Sequence, residues 1–150
     1  MFSAGEFCNR EVVVGDRDMT ILEAAKLMRQ YHVGDVVVTE PRGTGQIPVG
    51  ILTDRDIVVE LIAEEIDLSR ISVGDAMSFD PLIVKEADDL LQTVKNMRTR
   101  GVRRVPVASS EGTLAGILTL DDVLEVLAEQ ISDLVRLVGN EQFRERERRG

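Results

Sequence analysis

Apolar positions along the chain fall into short blocks whose spacing switches between that of strands and that of helices. Val12–Val14 is a brief apolar run that reads as a strand. Over Met19–Tyr31 the residues Ile21, Ala24, Ala25, Met28 and Tyr31 recur at helical spacing, and Thr20 with Glu23 three residues on can cap that helix. Val33–Thr39 and Ile47–Leu52 are Val- and Ile-rich strands, with the turn-rich TEPRGTGQIP breaking the chain between them. Asp54–Ile66 predicts a second helix with Ile57, Val58, Leu61 and Ile62 inward. The same order then returns. Leu82–Val84 is a strand, and Asp88–Arg100 is a helix with Leu90, Leu91, Val94 and Met97 on one face, stopped by Gly101. Arg103–Ala108 and Leu114–Leu118 are strands joined by a Ser-Ser-Glu-Gly turn. Leu120–Val138 is a long final helix with Val123, Leu124, Leu127, Ile131, Leu134 and Val135 inward, and the closing ERERRG reads as a frayed, solvated helix end.

The recurrence is a duplication. SAGEFC (Ser3–Cys8) is restated as SVGDAM (Ser72–Met77) at an offset of 69 residues, and Met28-Arg29 falls on Met97-Arg98 at that same offset. GILTDRD (Gly50–Asp56) falls on GILTLDD (Gly116–Asp122) at an offset of 66, because the first copy carries the longer loop. The boundaries are 3–66 for the first copy, 72–131 for the second and 132–150 for a helical extension with a charged tail. Two copies are too few and too long for a solenoid. The expected fold is therefore α+β: two βαββα units in a pseudo-two-fold pair that shares a core. The apolar stripe of the last helix outruns the second copy and calls for a covering surface, such as a second subunit.

Composition narrows the function. The net charge of −9 and the 3% aromatic content, with no Trp, lack the basic footprint and stacking rings that nucleic-acid binders use, so no nucleic-acid partner is expected. One Cys and one His exclude a disulfide and a Cys- or His-rich metal site. No basic stretch leads into an apolar run near the start, and no apolar run approaches the ~20 residues of a membrane helix, so a cytoplasmic protein without a membrane partner is expected. Cys8 matches Met77 in the repeat and reads as a packing residue, while His32 follows a helix and reads as a polar C-terminal residue. The acidic pairs Glu64-Glu65, Asp88-Asp89 and Asp121-Asp122 fall on helix faces or starts, where solvated or capping roles account for them.

Candidate chemistry sits at the two strand-to-helix junctions. Each strand ends in Gly-Ile-Leu, followed by Thr and, three residues later, Asp: Thr53 with Asp56, and Thr119 with Asp122. A Thr before a helix with Asp in its first turn is a common capping arrangement. The same place offers free N–H groups to an anion, a hydroxyl to a phosphate or ribose oxygen, and a carboxylate to a ribose diol.

With these motifs in order and duplicated, the sequence resembles a tandem cystathionine-β-synthase (CBS) domain pair, also called a Bateman module. The resemblance covers Ser3 to Ile131 and rests on GILTDRDIV, GILTLDDVL, VRRVPV (Val102–Val107) and SVGDAMSFDPLIV (Ser72–Val84). It implies two small three-stranded sheets packed face to face, with clefts between the copies that take AMP, ADP, ATP, S-adenosylmethionine or NAD-like ligands. It also implies disc-like homodimers. Carried onto this sequence, the family's nucleotide contacts fall on Thr53, Asp56, Thr119 and Asp122, on the basic Arg103 and Arg104, and on Ser78 and Leu82 near the start of the first strand of copy two.

The copies differ in charge. Where copy two has Arg103-Arg104, copy one has Gly34-Asp35, and Lys85 is matched by Asp16. Arg55 offsets part of that loss. One stronger nucleotide site, belonging to copy two, is expected. The functional expectation is a non-catalytic regulatory module that senses an adenosyl ligand, forms a homodimer and acts on an unidentified target protein. The alternative is a structural dimerisation module with empty or degenerate clefts.

Overall fold

A computed structural model of the chain describes residues 2–149. Its elements run α1 (Ala4–Phe7), β1 (Val14–Gly15), α2 (Ile21–Tyr31), β2 (Asp35–Arg42), β3 (Gly45–Thr53), a π-helix (Asp56–Ile62), a 3₁₀ turn (Leu68–Arg70), α3 (Val73–Ala76), β4 (Val84–Lys85), α4 (Leu90–Arg100), β5 (Arg104–Ala108), β6 (Leu114–Thr119) and α5 (Leu120–Arg149). The strands form two three-stranded sheets, β1-β2-β3 and β4-β5-β6. In each, the first pair is parallel and the second antiparallel.

Alternation along the central strands sets the layers. Val36 and Val38 face the core under α2, and Val105 and Val107 face the core under α4. Val37 points the other way and meets Ile51 and Ile117 in a third apolar cluster between the sheets. The two sheets are thus face to face through aliphatic side chains. No helix among the described residues is long and apolar enough to cross a membrane.

Each core is completed by the other copy. Ala4 is fully buried in the second core, with Phe7 and Cys8 packed against it, whereas Val73 and Met77 are buried in the first. Backbone bonds fix this exchange: the Gly5 N–H donates to the Glu86 carbonyl at 2.9 Å and the Gly74 N–H to the Arg17 carbonyl at 2.9 Å. Ser3 bridges to Asp89 and Asn9 to Ile117, and in the mirror arrangement Ser72 bridges to Thr20 and Ser78 to Ile51.

Several local expectations are met. Thr20 and Glu23 form a reciprocal capping box on α2, and Gly101 ends α4 in the left-handed region with φ +68. Others are corrected. The Pro/Gly stretch of copy one does not break the chain: β2 and β3 run on to a turn at Gly43-Thr44, making a longer hairpin. Pro48 is accepted because β3 is an edge strand, and a register shift falls between Val38 and Thr39. The helix expected over Asp54–Ile66 is a π-helix over Asp56–Ile62, with Ala63 N–H bonded to the Val58 carbonyl. Its wider turn keeps Ile57 and Leu61 buried and leaves Val58 and Ile62 exposed. On α4 the inward position is Thr93, whose hydroxyl donates to the Asp89 carbonyl at 2.9 Å, and Leu91 is exposed. The final helix does not stop near Val138 but continues to Arg149, and only Val123 and Val126 of it are buried.

Candidate functional site

Both Gly-Ile-Leu-Thr junctions form the same reciprocal pair of hydrogen bonds. The Asp56 N–H donates to Thr53 Oγ1 at 3.1 Å and the Thr53 N–H to Asp56 Oδ2 at 3.0 Å. At the second junction the distances are 3.2 Å from Asp122 to Thr119 Oγ1 and 3.1 Å from Thr119 to Asp122 Oδ2. The capping role is therefore real. It leaves the Thr119 hydroxyl hydrogen and Asp122 Oδ1 free to bond elsewhere, since neither is engaged among the described residues.

Two clefts share a lining residue, Val33, and the first of them borders the second junction. The first, about 360 Å³, lies between the link from α2 into β2 (His32, Val33, Gly34, Asp35) and the segments Arg103-Arg104 and Thr119–Asp121. The second, about 510 Å³, is lined by Val12, Val13, Val14, Leu27, Tyr31 and Val33 with Asn9 and Glu11 at its polar end. Val33 lines both, so an apolar cleft adjoins a polar one carrying two guanidinium groups.

Electrostatics at the polar cleft are set by the mismatch between copies. Arg104 donates to the Gly34 carbonyl and lies 3.5 Å from Asp35, its own counterpart across the pseudo-two-fold. Burial pushes the Asp35 carboxyl above its usual range; Arg104 pulls it back and nearby Asp54 pushes it up again. Arg103 is exposed and has no ion pair among the described residues.

The sequence-derived residues thus divide. Arg103, Arg104 and Thr119 line the polar cleft, with Asp122 hydrogen-bonded to Thr119 behind them. Thr53, Arg55 and Asp56 lie at the other junction, where Ser78 donates its N–H to the Ile51 carbonyl at 3.0 Å. Leu82 packs against the second core. At this mirror position Arg100, the counterpart of Tyr31, donates to the Asp80 carbonyl at 2.6 Å and so crosses the space that Tyr31 and Glu11 leave open.

No sequence motif marks the residues of the apolar cleft. Each combined site draws its apolar wall from the opening segment of one copy and its Thr–Asp pair from the end of the other. The 69-residue offset held the clue, since it carries Ser78 onto Asn9 and Leu82 onto Val13. The close approach that joins the halves needs Gly116, where a Cβ would stand 2.6 Å from Cys8 Sγ and 2.8 Å from the Asn9 carbonyl. Cys8 is accordingly a packing residue, and burial pushes its thiol up, with Arg10 partly opposing this. His32 ends α2 in the left-handed conformation and faces the polar cleft.

The family model of the CBS domain matches residues 4–63 and 73–129. An uncharacterized protein of Methanopyrus kandleri is 33% identical over 124 residues, which cover 83% of this chain and 62% of that protein. The chain thus spans less than two thirds of that relative's length. Hypoxic response protein 1 of Mycobacterium tuberculosis is 32% identical over 130 residues, covering 86% of this chain and 87% of the relative. Among solved structures, a CBS domain protein from Pyrobaculum aerophilum complexed with AMP superposes with a TM-score of 0.72 at 26% identity, covering 81% of this chain and 89% of that one.

Proposed function

The chain belongs to the CBS domain family, and on that premise we propose that it is a homodimeric regulatory module that binds an adenine nucleotide in the composite cleft and catalyses no reaction. The observation that carries this reading is the junction at Val33 of an apolar cleft with a polar one that holds Arg103 and Arg104. A planar, largely apolar base fits among Val12–Val14, Leu27 and Tyr31. The ribose diol lies toward Asp122, whose free oxygen accepts from it. The phosphate lies toward Arg103 and the Thr119 hydroxyl at the start of α5. AMP bound to the Pyrobaculum relative supports a ligand of this class.

The bound phosphate competes with Asp35 and the Gly34 carbonyl for Arg104. Since these groups come from opposite copies, a ligand that draws Arg104 toward itself alters the contact between the sheets. A shift between two such arrangements is the form that regulation of the target takes. The mirror site, built from Thr53, Arg55, Asp56, Ser78 and Leu82, binds more weakly or not at all, because Arg100 occupies its opening and Asp35 stands where the second copy has Arg104. In that cleft the alternative reading, a degenerate structural site, is favoured.

A thermal-shift panel of AMP, ADP, ATP, S-adenosylmethionine and NAD tests the reading. A ligand present at a hundred times its Kd stabilises the folded state by about 2.7 kcal/mol, a readily measured rise in Tm. Stabilisation by at least one member is expected. No shift with any of them at millimolar concentration refutes the ligand reading.

A further inference from the structure

The family match ends at residue 129, but α5 runs on to Arg149, and its side chains beyond Val126 are all exposed. At 1.5 Å per residue the whole helix is about 45 Å long, so much of it stands clear of the body. Along it Leu124, Leu127, Ile131, Leu134 and Val138 recur at alternating spacings of three and four, the seam of a coiled coil. They are between 47% and 62% exposed. Ile131 and Val138 are β-branched at the first position of the heptad, with Leu127 and Leu134 at the fourth, a pattern that suits two-stranded packing.

Charge placement supports a copy of the same chain as the occupant. The protein carries −9, yet over Leu124–Val138 every charge is turned from the seam: Glu125, Glu129, Asp133 and Arg136 all fall at outer heptad positions. The flanking positions hold Ala128, Val135, Gln130 and Leu137, which bear no charge. Two such faces meet without like-charge contact, whereas an unrelated basic or acidic partner finds nothing to pair with. The apolar face amounts to roughly 600 Å² or more, at the upper end of the largest patch on a typical monomer and near one partner's share of a standard interface.

We propose that two copies of this chain associate through a coiled coil of α5 over Leu124–Val138. This names the interface of the homodimer advanced above and rests on that part of the reading, not on the ligand. The test is the mass of the intact chain by light scattering at micromolar concentration, for the wild type and for Ile131→Glu/Leu134→Glu. The wild type is expected at the mass of two chains and the variant at one, with the ligand panel unchanged. A wild type of one chain overturns both the interface and the homodimer. A variant that keeps the wild-type mass overturns the interface alone. In a parallel coil Ile131 meets its own counterpart and in an antiparallel coil it meets Leu134 of the other copy, so on oxidation either Ile131→Cys or Ile131→Cys/Leu134→Cys, each in a Cys8→Ala background, is expected to cross-link between copies. Absence of a cross-link in both also overturns the proposal.

Discussion

Replacing Asp122 by Ala removes two things that the structure separates. One is the carboxylate that accepts the Thr119 N–H at 3.1 Å, a capping contact whose loss costs about 1 kcal/mol. The other is its free Oδ1, behind the cleft-lining Thr119. Asp56→Ala removes the same capping contact, here 3.0 Å long, at the junction whose opening Arg100 crosses. The pair therefore carries its own control. Both variants are expected to lose a similar amount of stability in urea denaturation. Only Asp122→Ala should also lose a charge-assisted hydrogen bond to ribose, worth about 1.5–3 kcal/mol. At tenfold per 1.4 kcal/mol, that is a roughly ten- to 150-fold rise in Kd by titration calorimetry with whichever panel ligand binds. An Asp56→Ala variant that weakens binding as much as Asp122→Ala, or more, refutes the assignment of the stronger site to the second junction.

Two further outcomes follow from the same geometry. Gly116→Ala sets a methyl group 2.8 Å from the Asn9 carbonyl, which is backbone, whereas Gly50→Ala chiefly meets the flexible end of Met77. Overpacking of this kind costs about 1–3 kcal/mol, so Gly116→Ala should lower Tm more than Gly50→Ala and should also weaken ligand binding; equal effects would count against the crossing at Asn9. Asp35 is raised by burial, so its contribution to stability is fully present below the unfolded carboxylate value and is lost as pH rises through the folded one. Asp35→Asn should therefore gain on the wild type as the pH of the urea titration is raised from acid to neutral, and a difference that does not change with pH would refute this.

The copies, their element order and both capped junctions could be read from the sequence because each rests on local chemistry: Thr20 with Glu23, Gly101 after α4, Thr and Asp three apart. The exchange of Ser3–Asn9 and Ser72–Ser78 between cores could not. Similarity between SAGEFC and SVGDAM says that the two segments occupy equivalent places but not which core each enters. The clefts share that cause: no local motif marks Tyr31 and Val33 as cleft walls, whereas Arg103, Arg104 and Thr119, which line the polar cleft, belong to motifs legible along the chain. Facing directions differ from helical periodicity where local geometry departs from an ideal helix, as at Val58 and Ile62 in the π-helix, or where a polar residue meets its own need for a partner, as at Thr93.

The crossing of the two opening segments also bears on origin and on dissection. A single copy with this geometry sends its first segment away and leaves the groove on its own core open, so it is complete only beside another. Two separate copies would close by trading arms, and joining them end to end turns that trade into one chain. Cutting the chain between Asp67 and Ile71 and separating the pieces would strip Val73 and Met77 from the first core and Ala4 and Phe7 from the second. The unit that unfolds, and the unit on which any variant acts, is the braided pair.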